Sequence, residues 1–594
     1  MSPPRTPPPR RPAGRGGASS ARRRASEHAL RRRRLRLLWI GSAGALVVLV
    51  ARLGMVQVLN SSRYTAYAAG ETEQRMTLPA TRGSIYDRTG HLLAVSVPTV
   101  NVVADDFQIT HPLSEANQLA PILHLSAVKL ASELSQRNGY VVIAANVNQA
   151  TASKAQSLYL NGISFLPSSQ RSAPDASLFE PILGGLNPSG TGVTGLEGME
   201  NATLAGKPGS ELAAVGPGGV ALPSAVSHVV PARPGRSLVL TIDEPLQVEV
   251  TKDLTAEMKL THAHSGVAVV ESVQTGAILA MVDLVAGPKG VIGPASTNLA
   301  LTSVYEPGSV MKLSTYSFAL KDGVINPQTP FTVPYSLTIG GYTFYDAEYH
   351  PTQIMTASQM LAQSSNVGTI ELAHKLGMNQ VYAGFRAFGY GQPTGMHWPG
   401  ASPGILGTPS SWIGSDTGSV PIGTGVAVTP QQILDAYTAA ANGGVLPVPH
   451  LVAGTIGPSG KERLIKYGPG RRAIPTSVDH EIVPMLEGVV HNGTAACAVV
   501  PGYTVAGKTG TSQIPTAHGY NNTAFNATFV GFLPAQAPKL SAVVTLNHPT
   551  IIYGGSAAAP VFAKVMEYAV GHFDVAPIGP PQRSVLQCTA TSGA

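Results

Sequence analysis

Residues 37–59 form a 23-residue apolar stretch interrupted by one charge, Arg52, and directly before it stand Arg31-Arg32-Arg33-Arg34 and Arg36. As a helix the stretch is about 34 Å long, enough to cross a hydrocarbon core of about 30 Å. Arg52 lies near its far end, where a long side chain snorkels to the interface, and Trp39 suits the near interface. The pattern predicts a single uncleaved transmembrane anchor over residues 37–59. A buried helix of a soluble domain fits the flanking charge less well. A cleaved signal peptide lacks a small-residue cleavage site. The positive-inside bias then sets the N-terminus in the cytoplasm and the chain beyond about residue 60 outside. That placement excludes ATP-driven chemistry from the body and permits disulfides there.

The net charge of +7 divides unevenly. Residues 1–36 hold twelve arginines against Glu27, so they carry +11; the other 558 residues hold 28 basic and 32 acidic side chains, or −4. The basic character therefore belongs to the tail, and a nucleic-acid partner is not expected for the body. Rich in Pro, Gly, Arg and Ser, residues 1–36 are expected to be a disordered cytoplasmic tail. Two cysteines exclude both a disulfide scaffold and a four-cysteine zinc site.

Beyond the anchor, residues 60–235 read as a mixed, elongated pedestal with strand-like runs at 99–104 and 140–147. A linker is expected near 229–235. Residues 236–575 then alternate strand, helix and strand. Strands are expected at 237–242, 266–270, 277–282, 504–506, 528–532 and 540–546. Helices are expected at 245–260, 309–322, 356–363 and 367–376. This order predicts an α+β domain, with helices packed on an antiparallel sheet. Residues 576–594 are left as a C-terminal tail.

The chemistry concentrates in Glu306-Pro307-Gly308-Ser309-Val310-Met311-Lys312. Pro-Gly breaks the chain and a helix is expected to start at Ser309, with Lys312 at i+3 on the same face. A serine hydroxyl is a weak nucleophile until a base takes its proton, and a lysine in an apolar site can be that base. Ser-x-x-Lys alone is weak: Ser126-Ala127-Val128-Lys129 repeats it and reads as solvated helix surface. The first copy gains weight from Ser364-Ser365-Asn366, 52 residues after Lys312, and Lys508-Thr509-Gly510-Thr511, 144 residues further on. Residues 502–509 also fit the Walker A pattern, but strand propensity inside the motif and Gly510 and Pro515 after it oppose a P-loop. His262-Ala263-His264 lacks a third ligand, so no metal is expected, and no cofactor is implied.

The order Ser-x-x-Lys, Ser-x-Asn, Lys-Thr-Gly is that of serine acyltransferases of the penicillin-binding and β-lactamase kind. The chain further resembles the class B penicillin-binding proteins, the peptidoglycan D,D-transpeptidases. The resemblance runs from the span to about residue 570. It is carried by Arg82-Gly83-Ser84-Ile85-Tyr86-Asp87-Arg88-Thr89-Gly90-His91-Leu92-Leu93-Ala94, Gly195-Leu196-Glu197 and Leu240-Thr241-Ile242-Asp243 with Leu246-Gln247. Further matches are the region from Asn298 to Lys312, Val428-Thr429-Pro430-Gln431-Gln432, Ala441-Asn442-Gly443-Gly444, Phe529-Val530-Gly531-Phe532 and Ala558-Ala559-Pro560-Val561-Phe562. About 250 residues separate the span from Ser309, too few for an added glycosyltransferase domain. The proportions resemble the septal, cell-division type most, with the elongation type close behind. One departure is Thr424 in Ile422-Gly423-Thr424-Gly425, where the family pattern leads one to expect glutamine.

The resemblance implies a penicillin-binding transpeptidase fold preceded by a dimerisation-like pedestal. Ser309 would be the nucleophile, Lys312 its base, and Ser364 a proton relay between Lys312, Lys508 and the leaving amine. Asn366 would bind the substrate's amide backbone. Lys508, Thr509 and Thr511 would hold the terminal carboxylate, with Gly510 between them. The N–H groups of Ser309 and Thr511 would form the oxyanion hole. Implied partners are stem peptides on a lipid-linked precursor, β-lactams, a membrane-embedded glycosyltransferase and divisome proteins. Arg82, Asp87 and Arg88 are expected to form an ion-pair cluster in the pedestal. Cys497 and Cys588, outside the cell, are free to pair or to stay apart. A β-lactamase or drug sensor would share the chemistry, but no Glu-x-x-Leu-Asn-like segment lies between the second and third motifs. A non-catalytic division scaffold is the remaining alternative.

Overall fold

A computed structural model describes residues 19–60, 73–215, 221–517, 519–579, 583 and 588. By its internal contacts the chain forms two units. The first comprises residues 1–77 and 210–231. It holds a long helix, Ser19–Gly54, that ends in a π turn, Met55–Leu59. It also holds a three-stranded sheet in the order Glu73–Leu78, Gly209–Val215, Ala221–Val230.

The helix corrects one expectation. Residues 19–36 are helical rather than disordered, and residues 1–18 lie outside the described part. The reason is local: from Ser19 to Arg36 there is no Gly or Pro, and Arg, Ala, Leu and Glu are good helix formers, so the helix of the span propagates backwards. Among the described residues this is the one helix long and apolar enough to cross a membrane, from Arg33 to Val58. Its apolar side chains, Trp39 at 75% and Val58 at 75%, are open to the surroundings. The segment expected to be a linker is partly strand, since Val229 and Val230 end Ala221–Val230.

The second unit comprises residues 78–209 and 232–594. One sheet runs through it in the order Glu462–Leu464, Val452–Ile456, Ser237–Leu240, Ile85–Tyr86, Leu92–Ala104, with Val141–Val147 and Ile163–Ser172 both paired to Leu92–Ala104. Ile85 pairs with Leu238 in parallel and with Ala94 antiparallel, so sequence-distant strands share a ladder. A separate cluster of Val102, Leu119, Leu130 and Leu134 forms the core under the helices Pro112–Leu123 and Ala127–Leu134.

The larger core surrounds a six-stranded antiparallel sheet. Its order is Ile292–Pro294, Ile278–Ala286, Ser265–Ser272, Leu540–Asn547, Gly519–Leu533, Ala506–Thr516. The apolar run Val267 to Val270 is buried throughout, as a central strand covered on both faces requires. Helices Glu244–Thr261 and Gly554–His572 pack on each other and on the sheet. Every residue of the helix Pro430–Ala441 is buried, and a Thr429/Gln432 capping box starts it. The Tyr437 hydroxyl donates to the Val310 carbonyl at 2.9 Å, which ties this central helix to the turn that carries Ser309. The α+β expectation is thus met.

Candidate active site

Ser309 is half-buried on a short 3₁₀ turn, Gly308–Met311, and the α-helix Lys312–Lys321 follows. The helix expected from Ser309 onward is therefore two pieces. Gly308 explains the break: its φ is +62°, and its N–H donates to the Gly423 carbonyl at 2.9 Å. Gly423 in turn has φ +87°, and a Cβ there would lie 2.0 Å from the Gly308 oxygen. Only glycine allows this approach. Tyr305 and Val428 exchange backbone hydrogen bonds at 3.1 and 3.0 Å, so residues 423–428 splint the segment before Ser309.

Lys312 is 0% exposed. Its Nζ donates to the Ser364 carbonyl at 2.7 Å, Asn366 Oδ1 at 2.9 Å, the Ser365 carbonyl at 3.2 Å and Ser364 Oγ at 3.4 Å. Ser364 lies between helices Ala357–Ala362 and Asn366–Leu376 with φ +61°, a left-handed conformation costly for a residue with a Cβ. That conformation turns both its carbonyl and its hydroxyl to Lys312.

Lys508, also 0% exposed, comes from the strand Ala506–Thr516. Its Nζ donates to Ser364 Oγ at 2.9 Å and to the carbonyl and hydroxyl oxygens of Thr509 at 3.2 and 3.3 Å. Two buried amines thus converge on one hydroxyl. Burial pushes Lys312 down to about 7, against the pull of Asp346, which favours its charge. Burial also pushes Lys508 well below the usual lysine range, and the charge on Lys312 pushes it further.

The strand meets the nucleophile turn backbone to backbone. A Cβ at Gly510 would lie 2.6 Å from the Pro307 oxygen, and one at Gly308 would lie 2.9 Å from the Thr511 oxygen. Thr509 Oγ1 pairs with Thr494 Oγ1 at 2.6 Å. Thr511 Oγ1 accepts from the Gly554 N–H at 3.3 Å, which leaves its own O–H free to donate. Ser309, Lys312, Ser364, Asn366, Lys508, Thr509, Gly510 and Thr511 are therefore gathered on adjoining backbone or linked by hydrogen bonds. The side chain of Thr424 does not join them: it donates to the Ser419 carbonyl at 3.1 Å.

Two further carboxylates support the site, and no role was expected of either from the sequence. Asp346, 7% exposed, accepts from the N–H groups of Asn366 and Val367 at 2.6 and 3.0 Å and from Ser365 Oγ at 2.7 Å. It caps the helix Asn366–Leu376 from 20 residues upstream, brought there by the hairpin Ser336–Ile339 and Tyr342–Tyr345. Glu306 accepts from the Gly425 N–H at 3.0 Å and from the Tyr520 hydroxyl at 3.1 Å. It stands beside the motif in sequence, yet only the fold supplies its partners.

Other singled-out residues lie elsewhere. Ser126 caps the helix Ala127–Leu134, and Lys129, 80% exposed, pairs with Glu133 at 3.8 Å. After Lys508 the chain continues as strand, not as the helix a P-loop requires. His264 stacks on His548 at 4.3 Å between centroids, and His262 ends the helix Glu244–Thr261 in a left-handed conformation. The expected cluster of Arg82, Asp87 and Arg88 resolves into three separate contacts. Arg82 and Arg171 both bind Glu197, at 2.5 and 2.7 Å. Asp87 accepts from the backbone of Thr89 and His91, both at 2.8 Å. Arg88 faces Asp243 at 3.7 Å. The cause is the short loop from Asp87 to His91, whose N–H groups claim the carboxylate first. Cys497 and Cys588 form a disulfide.

The chain matches the family model of the penicillin-binding protein transpeptidase domain over residues 266–567 and that of the penicillin-binding protein dimerisation domain over residues 77–240. It is 31% identical to the penicillin-binding protein PbpB of Mycobacterium tuberculosis, over 92% of this chain and 86% of that protein. It is 28% identical to the peptidoglycan D,D-transpeptidase FtsI of Escherichia coli, over 88% of this chain and 89% of that one. The crystal structure of penicillin-binding protein 3 of M. tuberculosis complexed with aztreonam superposes with a TM-score of 0.67 at 28% identity, covering 86% of this chain and all of that one. With both domain models matched in order around this constellation, the chain belongs to the class B penicillin-binding proteins, the family of peptidoglycan D,D-transpeptidases.

Proposed function

We propose that the chain cross-links peptidoglycan stem peptides through an acyl-enzyme on Ser309, in septal wall synthesis during division. Lys312, as the neutral amine, takes the Ser309 proton, and Oγ attacks the carbonyl between the two terminal D-alanines. The N–H groups of Ser309 and Thr511 stabilise the oxyanion; losing one such donor costs about 10²–10³ in rate. Ser364 passes the proton to the leaving amine, and D-alanine departs. An amine of a neighbouring stem peptide then attacks the acyl carbonyl, loses its proton to the same relay and regenerates Ser309. Asn366 binds the donor's amide backbone, and Lys508, Thr509 and Thr511 bind its terminal carboxylate.

The observation that carries this reading is the convergence of Lys312 and Lys508 on Ser364 Oγ, at 3.4 and 2.9 Å. It supports a proton relay from Lys312 through Ser364 Oγ to Lys508, with the Lys312 amine pushed down to about 7 by burial. β-Lactams would acylate Ser309 as cyclic mimics of the donor; the aztreonam bound to the M. tuberculosis relative supports this. The names PbpB and FtsI support the septal role. We assign residues 37–59 as a single-pass anchor with its N-terminus in the cytoplasm, 60–235 as the pedestal, 236–575 as the catalytic domain and 576–594 as a tail. A membrane-embedded glycosyltransferase and divisome proteins are the expected partners.

Labelling with a fluorescent penicillin, followed by intact mass, tests the chemistry. One adduct is expected, on Ser309; it disappears in Ser309→Ala and persists in Ser126→Ala. Labelling that survives Ser309→Ala sinks the assignment. A fluorescent fusion should gather at the division plane, and side-wall localisation would favour the elongation type instead.

A further inference from the structure

His350 follows Asp346 by four residues, and its ring is held at both nitrogens. Nε2 lies 3.0 Å from Asp346 Oδ2, and Nδ1 lies 2.8 Å from the Pro351 carbonyl. Both partners only accept hydrogen bonds. A neutral imidazole carries one N–H and can satisfy one of them, whereas an imidazolium satisfies both. The geometry therefore selects the cationic ring. The Asp346 side chain is 7% exposed and the His350 side chain, on its outer side, 16%. Tyr335 closes over it, edge to face with the His350 ring at 6.1 Å and in contact with Tyr345 and Tyr349.

Asp346 connects this pair to the catalytic groups. The oxygen that faces His350 also accepts from Ser365 Oγ, and the other oxygen accepts from the N–H groups of Asn366 and Val367. Asn366 Oδ1 and the carbonyls of Ser364 and Ser365 in turn accept from Lys312. We propose that His350 is a positioning residue of this site: as an imidazolium it anchors Asp346 and offsets its charge, and so fixes the Ser364–Asn366 segment and tempers the negative field at Lys312. This rests on the reading of Lys312 as the base that activates Ser309.

The direction of the effect follows from charge. The carboxylate of Asp346 favours the protonated form of Lys312, which is the inactive form of the base. A cation beside Asp346 weakens that pull. The bonds to the Pro351 carbonyl and to Asp346 favour the protonated ring of His350 in the same way. The other titratable groups around the pair are Tyr335, against the ring of His350 and itself in contact with Tyr345 and Tyr349, Glu371 on the helix Asn366–Leu376, and Tyr316 and Lys312 on the helix Lys312–Lys321. None of the tyrosines or Glu371 supplies a cation that could replace His350.

The test is the pH profile of Ser309 acylation by a fluorescent penicillin, in the full chain. His350→Gln keeps the size and a hydrogen-bond donor but removes the charge; His350→Lys restores a charge. In His350→Gln the rising limb of the profile should move up by about half to one pH unit, which lowers labelling by about two- to fivefold at pH 7 and by about three- to tenfold on the acid limb below pH 6. His350→Lys should return the limb toward its original position. Unchanged profiles in His350→Gln and His350→Ala overturn the inference. So does a uniform loss at every pH that follows thermal instability, since that marks a purely structural role. A wild-type protein labelled elsewhere than at Ser309 overturns the underlying reading instead, so the two failures are distinguishable.

Discussion

Lys508 Nζ donates to the Ser364 hydroxyl at 2.9 Å across 144 residues of sequence. The hydroxyl stands against a second buried amine, Lys312, at 3.4 Å. A positive charge on either amine disfavours one on the other, and burial disfavours both. Acylation should therefore rise with pH, reach half its plateau near 7 and level off about one unit higher, as Lys312 loses its proton. Ser364→Ala should lower the plateau by about 10²–10⁴, the usual worth of a positioned proton-transfer group. Stopped-flow penicillin acylation from pH 5 to 9 reads both; a flat profile removes Lys312 as the base.

Gly423 predicts a second effect on the same site. An alanine there would drive its Cβ to 2.0 Å from the Gly308 oxygen and would have to hold φ at +87°. The turn that presents Ser309 must shift to make room. Gly423→Ala should slow acylation by at least about tenfold, since misplacement by about 1 Å can cost as much as 10²-fold. Gly443→Ala is the control, because Gly443 has φ +60° but open space around its Cβ position. It should cost about 1–2 kcal/mol in stability for the left-handed backbone and leave the acylation rate unchanged.

Glu197 carries a prediction away from the chemistry. Its carboxylate binds Arg82 at 2.5 Å and Arg171 at 2.7 Å, with the three side chains 4%, 6% and 12% exposed. Glu197→Gln leaves two buried guanidinium groups without their anion. Removing one partner of a buried pair costs about 3–5 kcal/mol. The urea midpoint should fall accordingly, while the folded fraction still labels at Ser309. A midpoint within error of the original would mean that water reaches the pair.

The parts of the site that the sequence made legible share one property: their signals are local. Ser309 with Lys312, Ser364 with Asn366, and Lys508 with Thr511 each sit within four residues, next to a turn or a strand that a single sequence reveals. Asp346 does not, because its contacts with Ser365 and Asn366 are made 19 and 20 residues away through a hairpin return. The Arg82–Glu197 pair spans 115 residues, so Asp87, nearer in sequence, drew the expectation. The strand order was legible only as an antiparallel α+β pattern. Pairing of Ile85 with Leu238 depends on long-range packing that no window of sequence contains. The helix reaches back to Ser19 because no Gly or Pro falls between Ser19 and Arg36, a local property that the Pro- and Gly-rich composition of the whole tail hides.

Asp283 predicts how stability changes with pH. It is 1% exposed on the strand Ile278–Ala286; one oxygen accepts from the Ala300 N–H at 2.8 Å and the other has no hydrogen-bond partner. Burial raises its pKa from 3.8 to about 7, against the N–H groups of Ala300 and Leu299, which favour the charge. The folded state thus holds this proton more tightly than the unfolded chain does. Stability from this group is complete below about pH 4, declines as pH rises toward 7, and is constant above that, where both states are ionised. Asp283→Asn keeps an acceptor for Ala300 and cannot ionise. The difference in unfolding free energy between Asp283→Asn and the wild type should therefore grow in favour of the variant from pH 4 to pH 7 and then stop changing. Urea titrations at pH 4.5, 6 and 8 measure it, and a difference independent of pH would mean that Asp283 is ionised in the folded protein throughout.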